Sequence, residues 1–85
     1  MNFKLEHFLH DLIWRIKEEY NERLDLAAAA KNGRERAIED GQSWAYRHVL
    51  EMIENQLSAF GETSEMFSPI APEAGNKAEL KKVEF

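Results

Sequence analysis

Hydrophobic positions recur every three or four residues through two long stretches of this chain, and that spacing predicts two α-helices. In the first stretch Leu5, Phe8, Leu9, Leu12, Ile13, Ile16, Tyr20, Leu24 and Ala27 share one face of a helix over about 4–31. In the second, Ile38, Ala45, Val49, Met52, Ile53 and Phe60 share a face over about 34–60, widened by Tyr46, Leu50 and Leu57. Ile38 keeps phase with Ala45 and Val49, so the second helix is read as continuous through Gly41. An interior glycine costs about 1 kcal/mol relative to alanine, which a long packed helix absorbs. A break at Asp40-Gly41 is the competing reading. Matched lengths of about 40 Å each, at 1.5 Å per residue, favour continuity and an antiparallel hairpin folded at Asn32-Gly33. Gly33 is expected to stop the first helix in a left-handed conformation, with Lys31 at the negative end of the helix dipole, and Gly61 to close the second.

Each apolar face is wider than a two-helix hairpin can bury. The expected fold class is therefore all-α: a long antiparallel helical hairpin that dimerises into a four-helix bundle. The dimer core would comprise Leu5, Leu9, Leu12, Ile16 and Tyr20 with Ile38, Ala45, Val49, Met52, Ile53 and Phe60. Gln42 and Gln56 interrupt this face, where a polar side chain either fixes register or reaches solvent at the edge. The hairpin domain spans 1–61. Pro69, Pro72 and Gly75 break any periodicity beyond it, so 62–85 is expected to be an irregular, partly flexible tail. Within the tail, Met66, Phe67 and Ile70 form a small apolar cluster suited to folding onto the bundle end. The stretch 77–85 is too short to hold a helix alone, so the last ten residues are read as flexible or partner-dependent.

A second stripe lies off the main faces. Phe3, His7, His10 and Trp14 follow one another around the back of the first helix, and Trp44 and His48 occupy the back of the second. The hairpin core does not require them there, so they are the candidate partner-binding residues. The plainer alternative is that the tail covers them, or that Trp14 is merely half exposed.

Composition narrows the function classes. Hydrophobic residues make up 44% and charged residues 32%, too apolar a mixture for a wholly disordered chain. A net charge of −5 argues against nucleic acid and against anionic membrane surfaces, both of which need basic faces. The longest uncharged apolar run, 26–30, is far short of a membrane span. With no cysteine there is no disulfide framework and no thiolate chemistry, which fits a cytoplasmic setting.

The carboxylates Glu18, Glu19, Glu22 and Asp25 form an EExxExxD run that resembles the acidic, metal-binding helices of the MazG-like nucleotide pyrophosphatases. That resemblance implies a dimeric all-α hydrolase using a divalent metal. By helical phase, however, Glu18, Glu22 and Asp25 project away from Leu12, Ile16 and Tyr20 towards solvent. His7 and His10, at i,i+3, have the spacing to chelate a metal, but there is no HExxH and no carboxylate on their face to complete a set. Arg23, Lys31, Arg34 and Arg36 gather around the turn, and the ending Leu57-Ser58-Ala59-Phe60-Gly61 is similar to the close of the second helix in Rop-type RNA-binding hairpin dimers. Glu35, Glu39 and Asp40 dilute that basic cluster. No serine sits in a nucleophile elbow and no glycine-rich loop is present to cradle phosphate. The expectation is a non-enzymatic protein-binding or regulatory module, acting as a homodimer without cofactor or metal.

Overall fold

The two helices begin for a local reason. Asn2 caps the first, α1 (Phe3–Ala28), its side-chain oxygen accepting from the Leu5 N–H at 2.8 Å. Asn32 caps the second, α2 (Gly33–Ala59), accepting from the Glu35 N–H at 2.8 Å. The Glu35 carboxylate reaches back to accept from the Lys31 N–H at 2.9 Å, so the link 29–32 is held by reciprocal bonds at the α2 N-terminus. The computed structural model describes residues 2–62, 67 and 69–80.

These caps correct the expected turn. α1 ends inside the alanine run at Ala28 rather than at Lys31. The Ala29 N–H donates to the Asp25 carbonyl at 3.0 Å and the Ala30 N–H to the Ala27 carbonyl at 3.3 Å, which tightens the last turn. Gly33 is no left-handed stop. The glycines with positive φ among the described residues are Gly61 (73°) and Gly75 (84°), and Gly33 is simply the first residue of α2. The short side chain of Asn32 captures the Glu35 N–H, so Asn-Gly here starts a helix instead of ending one. Gly61 does follow the end of α2 in the left-handed conformation, and α2 runs unbroken through Gly41, both as expected.

α1 and α2 pack against each other as an all-α hairpin, and there is no strand among the described residues. A third layer comes from the tail. Residues 69–80 contain no helix; they form a strap across one side of the hairpin, with a turn at 73–76 closed by the Asn76 N–H donating to the Glu73 carbonyl at 3.0 Å. The core lies between the three: Ile13 of α1, Leu50 of α2, and Phe67 and Ile70 of the tail are buried together. Leu9, Ile16, Ile53, Leu57 and Ala71 pack around them. Phe67 and Ile70 therefore seat on the half of the hairpin away from the 29–32 link, between Leu9 to Ile16 of α1 and Leu50 to Leu57 of α2. Met66 lies outside the described residues, as do 81–85.

Hairpin side chains fasten the strap by its backbone. The Lys17 ammonium, only 4% exposed, donates to the carbonyls of Pro69 at 2.7 Å and Glu79 at 3.0 Å, tying the two arms of the strap together. Asn21 gives both halves of its amide to Ala78, donating to its carbonyl at 3.0 Å and accepting from its N–H at 2.7 Å. The Tyr20 hydroxyl donates to the Asn76 carbonyl at 2.7 Å, and Arg47 Nε to the Pro72 carbonyl at 2.8 Å. Polar groups buried this way keep their hydrogen bonds, the condition under which burying an ammonium or an amide is tolerable.

Candidate functional site

The strap divides the molecule into a covered side and an open side. Helical periodicity sets Leu5, Phe8 and Leu12 roughly 120–180° around α1 from the strap-holding Lys17 and Asn21. Likewise Ala45, Val49 and Met52 lie roughly 140–180° around α2 from Arg47 and Glu54, the latter accepting from the Ala71 N–H at 3.3 Å. Because the strap lies to one side of both helix axes, these residues share the other side. They stay exposed: Met52 is 57% exposed, Phe8 60%, and Leu5, Leu12 and Val49 are each above a third. Ile38 and Phe60 extend the face towards its two ends.

The residues expected to form a dimer core thus separate. Leu5, Leu12, Ile38, Ala45, Val49, Met52 and Phe60 are exposed on the single chain. Leu9, Ile16 and Ile53 are partly buried against the chain's own core, and Tyr20 is 1% exposed, already covered inside the chain. Burial raises the Tyr20 phenol above its ordinary pKa, with the Arg47 charge and the Gly75 backbone pulling the other way.

The back-face stripe forms two separate groups. On α1, the Phe3 and His7 rings meet edge-on with centroids 6.3 Å apart, and those of His10 and Trp14 lie 5.9 Å apart. Contrary to the expectation, a carboxylate does share the face of the two histidines: Asp11 sits between them, 3.6 Å from His7 Nε2 and 3.9 Å from His10 Nδ1. On α2, Trp44 is 62% exposed with the Arg47 guanidinium 5.8 Å from its ring centroid, and His48 is exposed. No ring contact among the described residues joins Trp14 to Trp44, and each borders a different cavity: Trp14 with Asp11, Arg15 and Glu18, Trp44 with Tyr20, Arg47 and the strap turn.

The acidic run of α1 does not converge. Asp25 pairs with Lys77 of the strap at 2.6 Å, and both Glu19 and Glu22 lie 3.7 Å from Arg23, while Glu18 is exposed. Among the described residues, no group of three or more histidines, aspartates and glutamates stands in a metal-holding arrangement. The basic cluster at the turn is partly neutralised. Arg23 meets Glu39 at 3.3 Å as well as Glu19 and Glu22, and Arg36 meets Asp40 at 3.8 Å. No helix among the described residues is long and apolar enough to cross a membrane.

Lys17, Asn21 and Arg47 are the working residues that hydrophobic periodicity alone passes over. Their signal is phase: Lys17 lies four residues after Ile13 and three before Tyr20, so a charge stands within the buried stripe. Comparison with known proteins finds no matching family model, no matching curated protein and no matching solved structure.

Proposed function

We propose that the protein is a small, non-enzymatic interaction module whose working unit is a homodimer. The open apolar face carries this reading. A strap shields one side of the hairpin, while Leu5, Phe8 and Leu12 of α1 and Val49 and Met52 of α2 stand exposed side by side on the other. A self-complementary patch of this kind suits a two-fold axis, and closing it would build the four-helix bundle. Each of these half-exposed side chains contributes on the order of 1 kcal/mol when buried, so two copies gain roughly 10 kcal/mol gross. Set against the roughly 4–15 kcal/mol cost of association, that leaves about 6 kcal/mol at best, so micromolar strength, which needs about 8 kcal/mol net, requires well-fitted side chains to add the rest.

A dimer closed on this face leaves Phe3, His7, Trp44 and His48 exposed, with Trp14 half-buried and His10 mostly buried beside them. Phe3, His7, His10 and Trp14 on one flank, and Trp44 and His48 on the other, would then contact a protein partner. The net charge of −5 favours a basic surface on that partner. The lack of cysteine suits a cytoplasmic setting.

Light scattering on the wild type and on Met52→Asp tests the dimer. The wild type should give twice the 9.9 kDa chain mass at micromolar concentration. Met52→Asp should give the chain mass with helicity unchanged. A helical wild type of 9.9 kDa at that concentration refutes the homodimer. For the partner surface, capture from the source cell should lose proteins when Trp14 is replaced by alanine.

A further inference from the structure

Where the two helices and the strap turn come together they leave a cavity of about 250 Å³. Its walls are Tyr20 and Leu24 of α1, Asp40, Ser43, Trp44 and Arg47 of α2, and strap residues 74–75. The fold does not need Trp44 here, since most of its ring is exposed and it belongs to no buried cluster. Leu24, the indole and Ala74 supply apolar surface, and Tyr20, Asp40, Ser43 and Arg47 bring the polar groups.

The chemistry of those polar groups selects a ligand class. The two charges of the wall are answered from outside it: Arg47 by Glu51 at 2.6 Å, and Asp40 by Arg36 at 3.8 Å. Neither calls for a counter-charge on the occupant. Both hydroxyls have already spent their protons, Tyr20 on the Asn76 carbonyl and Ser43 on the Asp40 carbonyl at 2.8 Å, and both residues are at least 95% buried, so the half-exposed Asp40 carboxylate is the acceptor the wall presents. Arg47 uses Nε for Pro72 and Nη1 for Glu51, leaving Nη2 as a donor. The wall therefore offers one carboxylate acceptor, one strong donor and an exposed indole, one face of which already lies under the Arg47 guanidinium. Its complement is a neutral ring carrying several hydroxyls, each able to donate and accept, with an apolar face of its own. The volume falls just below the roughly 300–1,000 Å³ of sites for drug-sized ligands, which suits a single ring.

We infer that this cavity is a binding site for one neutral sugar ring, stacked on Trp44 and hydrogen-bonded between Asp40 and Arg47. A ligand this small and polar binds with a Kd on the order of 1 mM. The test titrates the 85-residue chain, carrying Trp14→Phe so that Trp44 alone emits, with glucose, galactose, mannose and N-acetylglucosamine. Emission and calorimetry are read in parallel. At least one sugar should give a saturable change in both. Its calorimetric affinity should fall about tenfold or more in Asp40→Ala and be lost in Trp44→Ala, two changes at exposed or half-exposed side chains. No saturable response to any of the four sugars overturns the site. Undiminished binding by Trp44→Ala also overturns it, by placing the sugar elsewhere. Stronger binding of glucose 6-phosphate or of the zwitterion glycylglycine overturns the ligand class, because the wall would then be demanding charge.

Discussion

Replacing Asn21 by alanine asks whether the strap is held by its backbone. In the native chain the Asn21 amide satisfies both the N–H and the carbonyl of Ala78, at 2.7 and 3.0 Å, and Ala78 is buried. Alanine strands both groups. A stranded buried donor or acceptor costs about 1–3 kcal/mol, and the strap relieves part of that by lifting towards water, so the net loss should be about 2 kcal/mol. For a domain of this size each kcal/mol lowers Tm by about 4–8 °C, which gives a drop of about 8–16 °C. Thermal melts by far-UV circular dichroism at fixed protein concentration measure it, the concentration being held because self-association would move Tm by mass action. Amide hydrogen exchange should also show protection lost at Ala78 but kept in the middle of α1 and α2. Asn21→Asp keeps the acceptor and loses the donor, and should fall between alanine and wild type. A Tm for Asn21→Ala within about 2 °C of wild type refutes the reasoning, since the strap would then owe little to these bonds.

Other measurements follow from the same geometry. Gly41 lies inside α2 with open space where a Cβ would stand, so Gly41→Ala should raise stability by about 0.5–1 kcal/mol through helix propensity alone, as read from chemical denaturation midpoints. The Tyr20 phenol has a raised pKa in the folded chain, so above pH 10 the unfolded chain gives up its proton first. The stability linked to Tyr20 is thus fully present below pH 10 and is lost as pH rises through the folded value. Tyr20→Phe should flatten that part of an alkaline denaturation curve, and an unchanged alkaline slope would count against it.

What could be read in advance, and what could not, separates along the range of the interactions. Helix type, continuity through Gly41 and the closing role of Gly61 depend on neighbours within a few residues, and such local preferences are written directly in the order of side chains. Asn32-Gly33 shows where local reading goes astray. The same dipeptide stops one helix or starts the next, and the Glu35 side chain, three residues on, tips it towards starting α2. The site residues followed the same division. The apolar stripe of α1 was plain from its spacing, but spacing could not tell which half of it the tail would cover.

That half was decided by contacts between residues more than fifty positions apart. Lys17 with Pro69 and Glu79, Tyr20 with Asn76, and Asn21 with Ala78 bring the tail back onto α1. A stretch with prolines and no periodicity reads as an irregular tail because it lacks a side-chain pattern, and its hold on α1 goes unread because its own carbonyls and N–H groups do the binding. Every residue carries those groups, so they leave no mark in a sequence. The amphipathic order of α1 and α2 by itself determined a helical hairpin with more apolar surface than two helices can bury. The tertiary structure alone decided that the tail takes one side of that surface, leaving Leu5, Phe8, Leu12, Val49 and Met52 exposed on the other. Backbone hydrogen bonding to buried side chains depends on three-dimensional position and not on residue type.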